Sequence, residues 1–396
     1  MQNENQEKMK FPTLSVEALK SKLPETLQGS GCAYDAASQS IYIHGGRFDL
    51  FSETTSLYHF DVVNQVWKKL FESEEAPLKY NDDGEVIEDD KPRTSPKPRC
   101  GHGMIFRENQ LFVFGGMMEG KFENCVWVFD LCQPMNTDPK LNVWKRVESN
   151  TPPRSFFAMD YDVASDRIII HGGKDDEVHS TQFDLYELSL KDFNDKTNNL
   201  EWHEINVDLE VEEDGMIGLT YPLDGPMPRM EHTGCLFDGG KKFIVYGGWT
   251  CKHQTCEDAW IFNLESKKWS EVTPATKCSP ATHLGHTGFM IGDNYFAVCG
   301  GNSDHGSTIT VLDIENSTWK DFKFDSYLIG THCFSVSLNL NGKLAWFVAG
   351  GTCSTKSKEG YSTMSATDNA YIVTSDMPVK KRENEGDNPE SKSAKE

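Results

Sequence analysis

The sequence predicts an all-β fold, a six-bladed β-propeller whose ring is closed by an N-terminal strand completing the last blade. Three observations carry this. Six short apolar runs end in a Gly-Gly pair: IYIHGG (Gly45, Gly46), LFVFGG (Gly115, Gly116), IIIHGG (Gly172, Gly173), FIVYGG (Gly247, Gly248), FAVCGG (Gly300, Gly301) and WFVAGG (Gly350, Gly351). Five of them are followed by a Trp that opens a further strand-like run: Trp67 (WKKL), Trp144 (WKRV), Trp202 (WHEI), Trp269 (WSEV) and Trp319 (WKDF). No helical period intervenes, and such a repeat marks units that bury their apolar surface only against neighbours.

Each unit reads as four short strands. The second unit shows the order: GHGMIFRENQ, LFVFGG, CVWVFDL and NVWKRVE. β-branched and aromatic residues dominate these runs, and Gly, Asn, Asp and Pro bound them. The unbroken apolar stretch before each Gly-Gly suits a strand buried on both faces. The second glycines (Gly46, Gly116, Gly173, Gly248, Gly301, Gly351) permit a turn or a close backbone approach that a Cβ would block. The Trp side chains are buried by packing between adjacent sheets. Third strands read Tyr58-His-Phe-Asp61, Trp127-Val-Phe-Asp130, Trp260-Ile-Phe-Asn263 and Thr310-Val-Leu-Asp313.

With an Arg-x-Gly-His-like first strand, Gly-Gly after the second, this third-strand pattern and a Trp opening the fourth, the chain resembles the Kelch repeat from about residue 29 to 374. The sixth unit ends its pattern at Asn369–Thr374 without a following Trp. Phe11-Pro-Thr-Leu14 has the spacing of the missing fourth strand, so a segment near residues 10–14 is expected to close the ring. Residues 1–376 then form one propeller. Residues 377–396, charged and free of aromatics, are expected to be disordered.

A formal charge of -22 argues against nucleic acid or an anionic membrane surface as partner. No apolar run reaches the ~18 residues of a membrane-spanning helix, and the polar N-terminus lacks an apolar signal core. With eleven cysteines, several inside strands, a reducing, cytoplasmic location is expected. Cys251-Lys-His253-Gln-Thr-Cys256 offers three soft ligands, one short of a closed zinc site, so no metal or other cofactor is expected. Two acidic insertions, 72–98 and 208–227, join a fourth strand to the next first strand.

The starts of the first strands align as Gln28-Gly-Ser-Gly31, Arg99-Cys-Gly-His102, Arg154-Ser-Phe-Phe157, Arg229-Met-Glu-His232, His283-Leu-Gly-His286 and Ile329-Gly-Thr-His332. The first strand is innermost, and its start shares a face with the loop after Gly-Gly. Arg99, Arg154, Arg229 and His283 are therefore expected to form a cationic arc at one mouth of the channel. Arg47 and Lys174, which follow Gly-Gly pairs, are expected on the same face. Guanidinium groups bind carboxylates bidentately, so the arc suits an acidic peptide segment or a terminal carboxylate. The resemblance to Kelch-type substrate adaptors implies the same use of this column. Each Arg is equally suited to a structural pairing with Asp or Glu. His102, His232, His286 and His332 are read as hydrogen-bonded structural residues, since neighbouring blades do not converge on one ion.

No phosphate-binding loop and no Ser-His-Asp order stands out, and Asp175-Asp176-Glu177-Val-His179 lacks convincing ligand spacing. The reading is a non-catalytic protein-interaction module, a subunit of a cytoskeletal, trafficking or adaptor assembly. The alternative is an enzyme that holds an anionic small molecule at the same mouth.

Overall fold

Consecutive strands of each repeat pair antiparallel to make six successive sheets. A computed structural model describes residues 11–48, 52–73, 79–80, 86–87, 94–118, 120–132, 142–175, 181–194, 196–207, 210–214, 219–250, 252, 254–275, 284–301, 308–324, 329–356 and 362–378. Blade one comprises Gly31–Asp35, Ser40–His44, Leu57–Asp61 and Val66–Phe71. Blade two comprises Gly103–Arg107, Gln110–Phe114, Val126–Asp130 and Lys145–Ser149. Blade three is Ala158–Asp162, Arg167–Lys174, Thr181–Ser189 and the short His203–Glu204. Blade four is Thr233–Phe237, Lys242–Tyr246, Ala259–Asn263 and Lys268–Glu271. Blade five is His286–Ile291, Tyr295–Gly300, Thr308–Asp313 and Thr318–Lys323.

Blade six takes three strands from the C-terminal end and one from the N-terminal end. Phe334–Leu340, Lys343–Ala349 and Ala370–Pro378 are completed by Leu14–Ala18, with Leu14 opposite Ser375 and Ala18 opposite Tyr371. The closing strand thus begins where the expected segment ends. Phe11 precedes it and takes the part played by Trp elsewhere, its ring 5.8 Å from Tyr295 of blade five. The last strand runs to Pro378, past the expected start of the tail; residues 379–396 lie outside the described residues.

The core is divided among the six gaps between blades. Ile43, Phe60, Phe347 and Ile372 fill the gap between blades six and one, and Val113, Trp127 and Phe129 with Leu57 and Phe71 the next. Each fourth-strand Trp turns toward the preceding blade. Trp144 packs on Phe71 and His44 of blade one, Trp202 on Phe114 of blade two, Trp269 on His171 of blade three, and Trp319 on Tyr246 of blade four. Apolar strands thus bury both faces because each sheet has a neighbour on either side.

The insertions form hairpins of their own. Lys79–Tyr80 pairs with Val86–Ile87 in the first, and Val211–Asp214 with Leu219–Pro222 in the second. Asn199–Leu200 adds a parallel strand to the outer edge of blade two.

Candidate functional site

At one end of the axis the backbone closes into a ring of hydrogen bonds. The N–H of Gly29 donates to the His332 carbonyl (2.7 Å), Gly101 to Gly29 (2.9 Å), Phe156 to Gly101 (2.8 Å), Glu231 to Phe156 (2.9 Å), Gly285 to Glu231 (2.9 Å) and His332 to Gly285 (2.6 Å). All six residues are left-handed, with φ between 55° and 65°. Glycine adopts this conformation freely, whereas Phe156, Glu231 and His332 hold it under strain.

The ring corrects the alignment of two repeats. In blades two to five the ring residue is the third of the four aligned positions, so blade one begins its motif at Leu27 and blade six at Gly330, each one residue from the expected register. His332 therefore belongs to the ring. Cys333 and Ser30 take the places that His102, Phe157, His232 and His286 hold in the other blades, and all six line a shallow axial cup of about 120 Å³.

The expected cationic arc is also corrected. Arg99 and Arg229 are fully buried and Arg154 nearly so. Each guanidinium clamps its own blade. Arg154 donates to the Gly172 carbonyl (3.0 Å) and bidentately to Asp184 (2.7 and 2.9 Å). Arg229 does the same with Gly247 (3.0 Å) and Asp258 (2.8 and 2.8 Å). Arg99 reaches Gly115 (2.7 Å) and Glu123 (2.6 Å). Although burial acts to raise their carboxyl pKa values, the neighbouring arginines hold Glu123 and Asp258 below the ordinary range. These three carboxylates escaped the sequence reading; the available signal was an acidic residue ahead of or early in the third strand in three successive repeats. His283 lies outside the described residues.

The histidines bridge blades. His44 Nδ1 lies 3.2 Å from His102 Nε2, which also accepts the N–H of Gly31, so His44 is the donor of that pair. His171 Nδ1 lies 2.9 Å from His232 Nε2, and His286 Nε2 lies 3.2 Å from the Tyr246 carbonyl. Burial, with adjacent arginines, depresses the pKa of all four paired imidazoles, that of His102 to about 3. They are neutral structural groups. Among the described residues no cluster of three or more His, Cys, Asp or Glu could hold a metal. Cys251, His253, Asp176, Glu177 and His179 lie outside them.

The mouth itself carries other side chains. The Phe156 and His332 rings meet across the axis at 5.6 Å, and His332 Nε2 is 3.3 Å from Glu231 Oε1. A second tier follows the Gly-Gly turns. Arg47, Lys174 and Trp249 pair through the backbone with Gln28, Ser155 and Met230, each immediately before a ring residue, and Met117 pairs with Cys100 in the same way. These four residues are half-buried, whereas Thr352, which pairs in the same way with Thr331 before His332, is buried. Arg47 is held by Glu53 (3.1 Å). Lys252 lies 4.2 Å above the Tyr221 ring, tying the second insertion to blade four on this face.

These features define a Kelch-type propeller with its loop face built around an axial ring. The family model described as the KLHDC2/KLHL20/DRC7 Kelch-repeats domain matches residues 7–214 and 197–390, and the chain belongs to this family of Kelch-repeat proteins. It is similar to acyl-CoA-binding domain-containing protein 4 of Arabidopsis thaliana, at 25% identity over 70% of this chain and 36% of that protein. Host cell factor homolog hcf-1 of Caenorhabditis elegans is 26% identical over 70% of this chain and 34% of its own length. Host cell factor of Drosophila melanogaster is 24% identical over 58% and 16%. The chain spans about a third or less of these relatives.

Proposed function

We propose that the propeller is a non-catalytic recognition module that takes an acidic segment of a partner protein across its loop face, over the axial mouth. The observation that carries this is the strain in the ring. Three blades place glycine where the backbone is left-handed; the other three place Phe156, Glu231 and His332 there. A bulky residue in this region costs about 1–3 kcal/mol, and such strain concentrates at binding sites. The cup beneath holds one side chain, well short of the ~300 Å³ of a typical small-molecule site. Lys174 supplies a charge complement for flanking carboxylates in place of the buried arginines, beside Arg47, whose guanidinium is shared with Glu53.

The cup offers poor chemistry. The Ser30 hydroxyl is given to the Gly45 carbonyl (2.9 Å), and burial pushes the Cys333 thiol well above its ordinary value, disfavouring the thiolate nucleophile. All nine cysteines among the described residues are free thiols, which supports a reducing, cytoplasmic setting. No described helix is long and apolar enough to cross a membrane. Membership of a larger assembly follows from the same reading, because a recognition face without chemistry acts through what it holds.

The test is affinity capture from native extract. Glycine is the strain-free residue at the ring, so Phe156→Gly/His332→Gly is expected to keep its melting temperature and lose the captured partner. Arg47→Glu/Lys174→Glu is expected to lose it too, with wild-type capture weakened by salt. Identical captures from all three proteins would remove the mouth as the binding surface.

A further inference from the structure

Below the cup the axis widens into a chamber of about 340 Å³ that reaches Val163 in the turn on the opposite face. Its walls come from the middle of all six innermost strands and include the aromatic and thioether side chains of Tyr34, Phe106, Tyr161, Met104 and Met290 among smaller residues. One carboxylate, Asp160, lies in this lining, which contains no Lys, Arg or His. Asp160 Oδ2 accepts the N–H of Leu236 (2.7 Å) across the gap to blade four, and Oδ1 accepts the N–H of Tyr161 (2.8 Å). A carboxylate has about four acceptor sites, so these two bonds fix the group and leave capacity on each oxygen.

We propose that this chamber is a binding site for a small organic ammonium ion, with Asp160 as counter-ion and the aromatic walls as cation–π partners. The chemistry is selective by elimination. A single carboxylate is too few ligands for a divalent metal ion, which takes six or more oxygens or several side chains. An anion meets the carboxylate alone. An alkylammonium satisfies both halves of the lining at once: its charge meets Asp160 and the ring faces, and its chain meets the Met and aromatic carbons. The titratable groups acting on Asp160 are Asp162 on its own strand and Cys235 on the adjacent strand of blade four, and neither supplies positive charge; the Tyr161 hydroxyl turns to Asp166 and the Tyr34 hydroxyl to the Asn339 carbonyl. Burial accordingly pushes the Asp160 carboxyl up to about 6, and a bound ammonium is the missing partner of its charged form.

The probe is n-pentylammonium beside 1-pentanol, which has the same chain without the charge, measured by ligand-observed NMR and calorimetry on the whole chain. The amine is expected to bind at least about tenfold more tightly than the alcohol. Asp160→Asn keeps an acceptor for the Leu236 N–H and is expected to abolish that preference. In the wild type the amine's affinity is expected to fall about tenfold per unit as pH drops below about 6, because protonated Asp160 is no longer a counter-ion. Equal affinity for amine and alcohol, no binding of the amine, or a preference that persists in Asp160→Asn would overturn the site. If Asp160→Asn fails to fold, the alcohol comparison and the pH dependence in the wild type decide the matter.

Discussion

In blades two and three the carbonyl that receives the N–H of the preceding Gly-Gly turn belongs to an arginine: Gly46 to Arg99 (2.7 Å) and Gly116 to Arg154 (2.9 Å). In blade one the same bond runs from Gly351 to Leu27 (2.8 Å), and in blade six from Gly301 to Gly330 (3.1 Å). The backbone stitch is shared, yet the side chain beneath it differs. Arginine fills the space as one half of a buried ion pair; Leu27 fills it as part of the apolar core next to the closing strand. The ring thus depends on backbone bonds between blades, while the side chain at this position only has to fill volume and leave no polar group unsatisfied. A buried pair is costly to break singly and near neutral to replace as a unit by apolar residues.

The largest effect should come from the seam. Deleting residues 1–18 removes the Leu14–Ala18 ladder and the buried Leu14, and leaves the edge of Ala370–Pro378 open; we expect a loss of more than about 4 kcal/mol in urea unfolding. A neutral deletion would mean that blade six closes without its fourth strand. Next is the stitch. At Gly248, φ is 99° and a Cβ would lie 2.6 Å from the Met230 carbonyl and 2.7 Å from His232 Cβ. Gly248→Val should cost about 3 kcal/mol or more, and Gly46→Val a similar amount. Unchanged unfolding midpoints in both would refute the role of the stitch.

The clamp is tested by Arg229→Leu, expected to cost about 3 kcal/mol because Asp258 loses its partner, while Arg229→Leu/Asp258→Leu should recover most of it. No recovery would show that the arginines do something Leu27 cannot. Arg154→Glu should likewise lower the melting temperature, since it faces Asp184.

A smaller effect separates gaps closed by histidine pairs from the gap between blades two and three, where Phe114 and Phe157 hold the equivalent positions. The four paired imidazoles are held below their ordinary value of 6.5. The unfolded chain therefore binds protons on them first. Their contribution is complete above about pH 6.5 and is lost as pH falls toward the folded values, about 3 for His102. Asp160, raised to about 6, offsets one group's worth of this loss between its folded and unfolded values. The urea midpoint should fall between about pH 7.5 and about pH 5, and His171→Phe/His232→Phe should flatten the dependence. A midpoint independent of pH would contradict neutral buried pairs.

Much of this fold was legible because its period is short. The Gly-Gly pairs, the Trp residues and the apolar runs report local needs, namely a left-handed turn, a gap to fill and a strand buried on both faces. The closing strand was legible through its spacing from Phe11 to Leu14. The site was read less well. The arginines appeared as a cationic arc because strand alternation says which residues are innermost, but it does not say which carboxylate folds back onto them. Glu123, Asp184 and Asp258 settle that, and each is separated in sequence from its arginine by the first two strands of its blade.

By itself, the sequence determined the number of blades, the place of the turns and the strand that seals the ring, because those features depend on residues a few positions apart. Only the tertiary structure decided what faces the axis. The six-residue hydrogen-bond ring, the strained Phe156, Glu231 and His332 at its mouth, and the lone Asp160 in the chamber below all depend on one residue per blade meeting across long stretches of intervening chain. The circular closure brings those residues together, and a linear pattern does not record it.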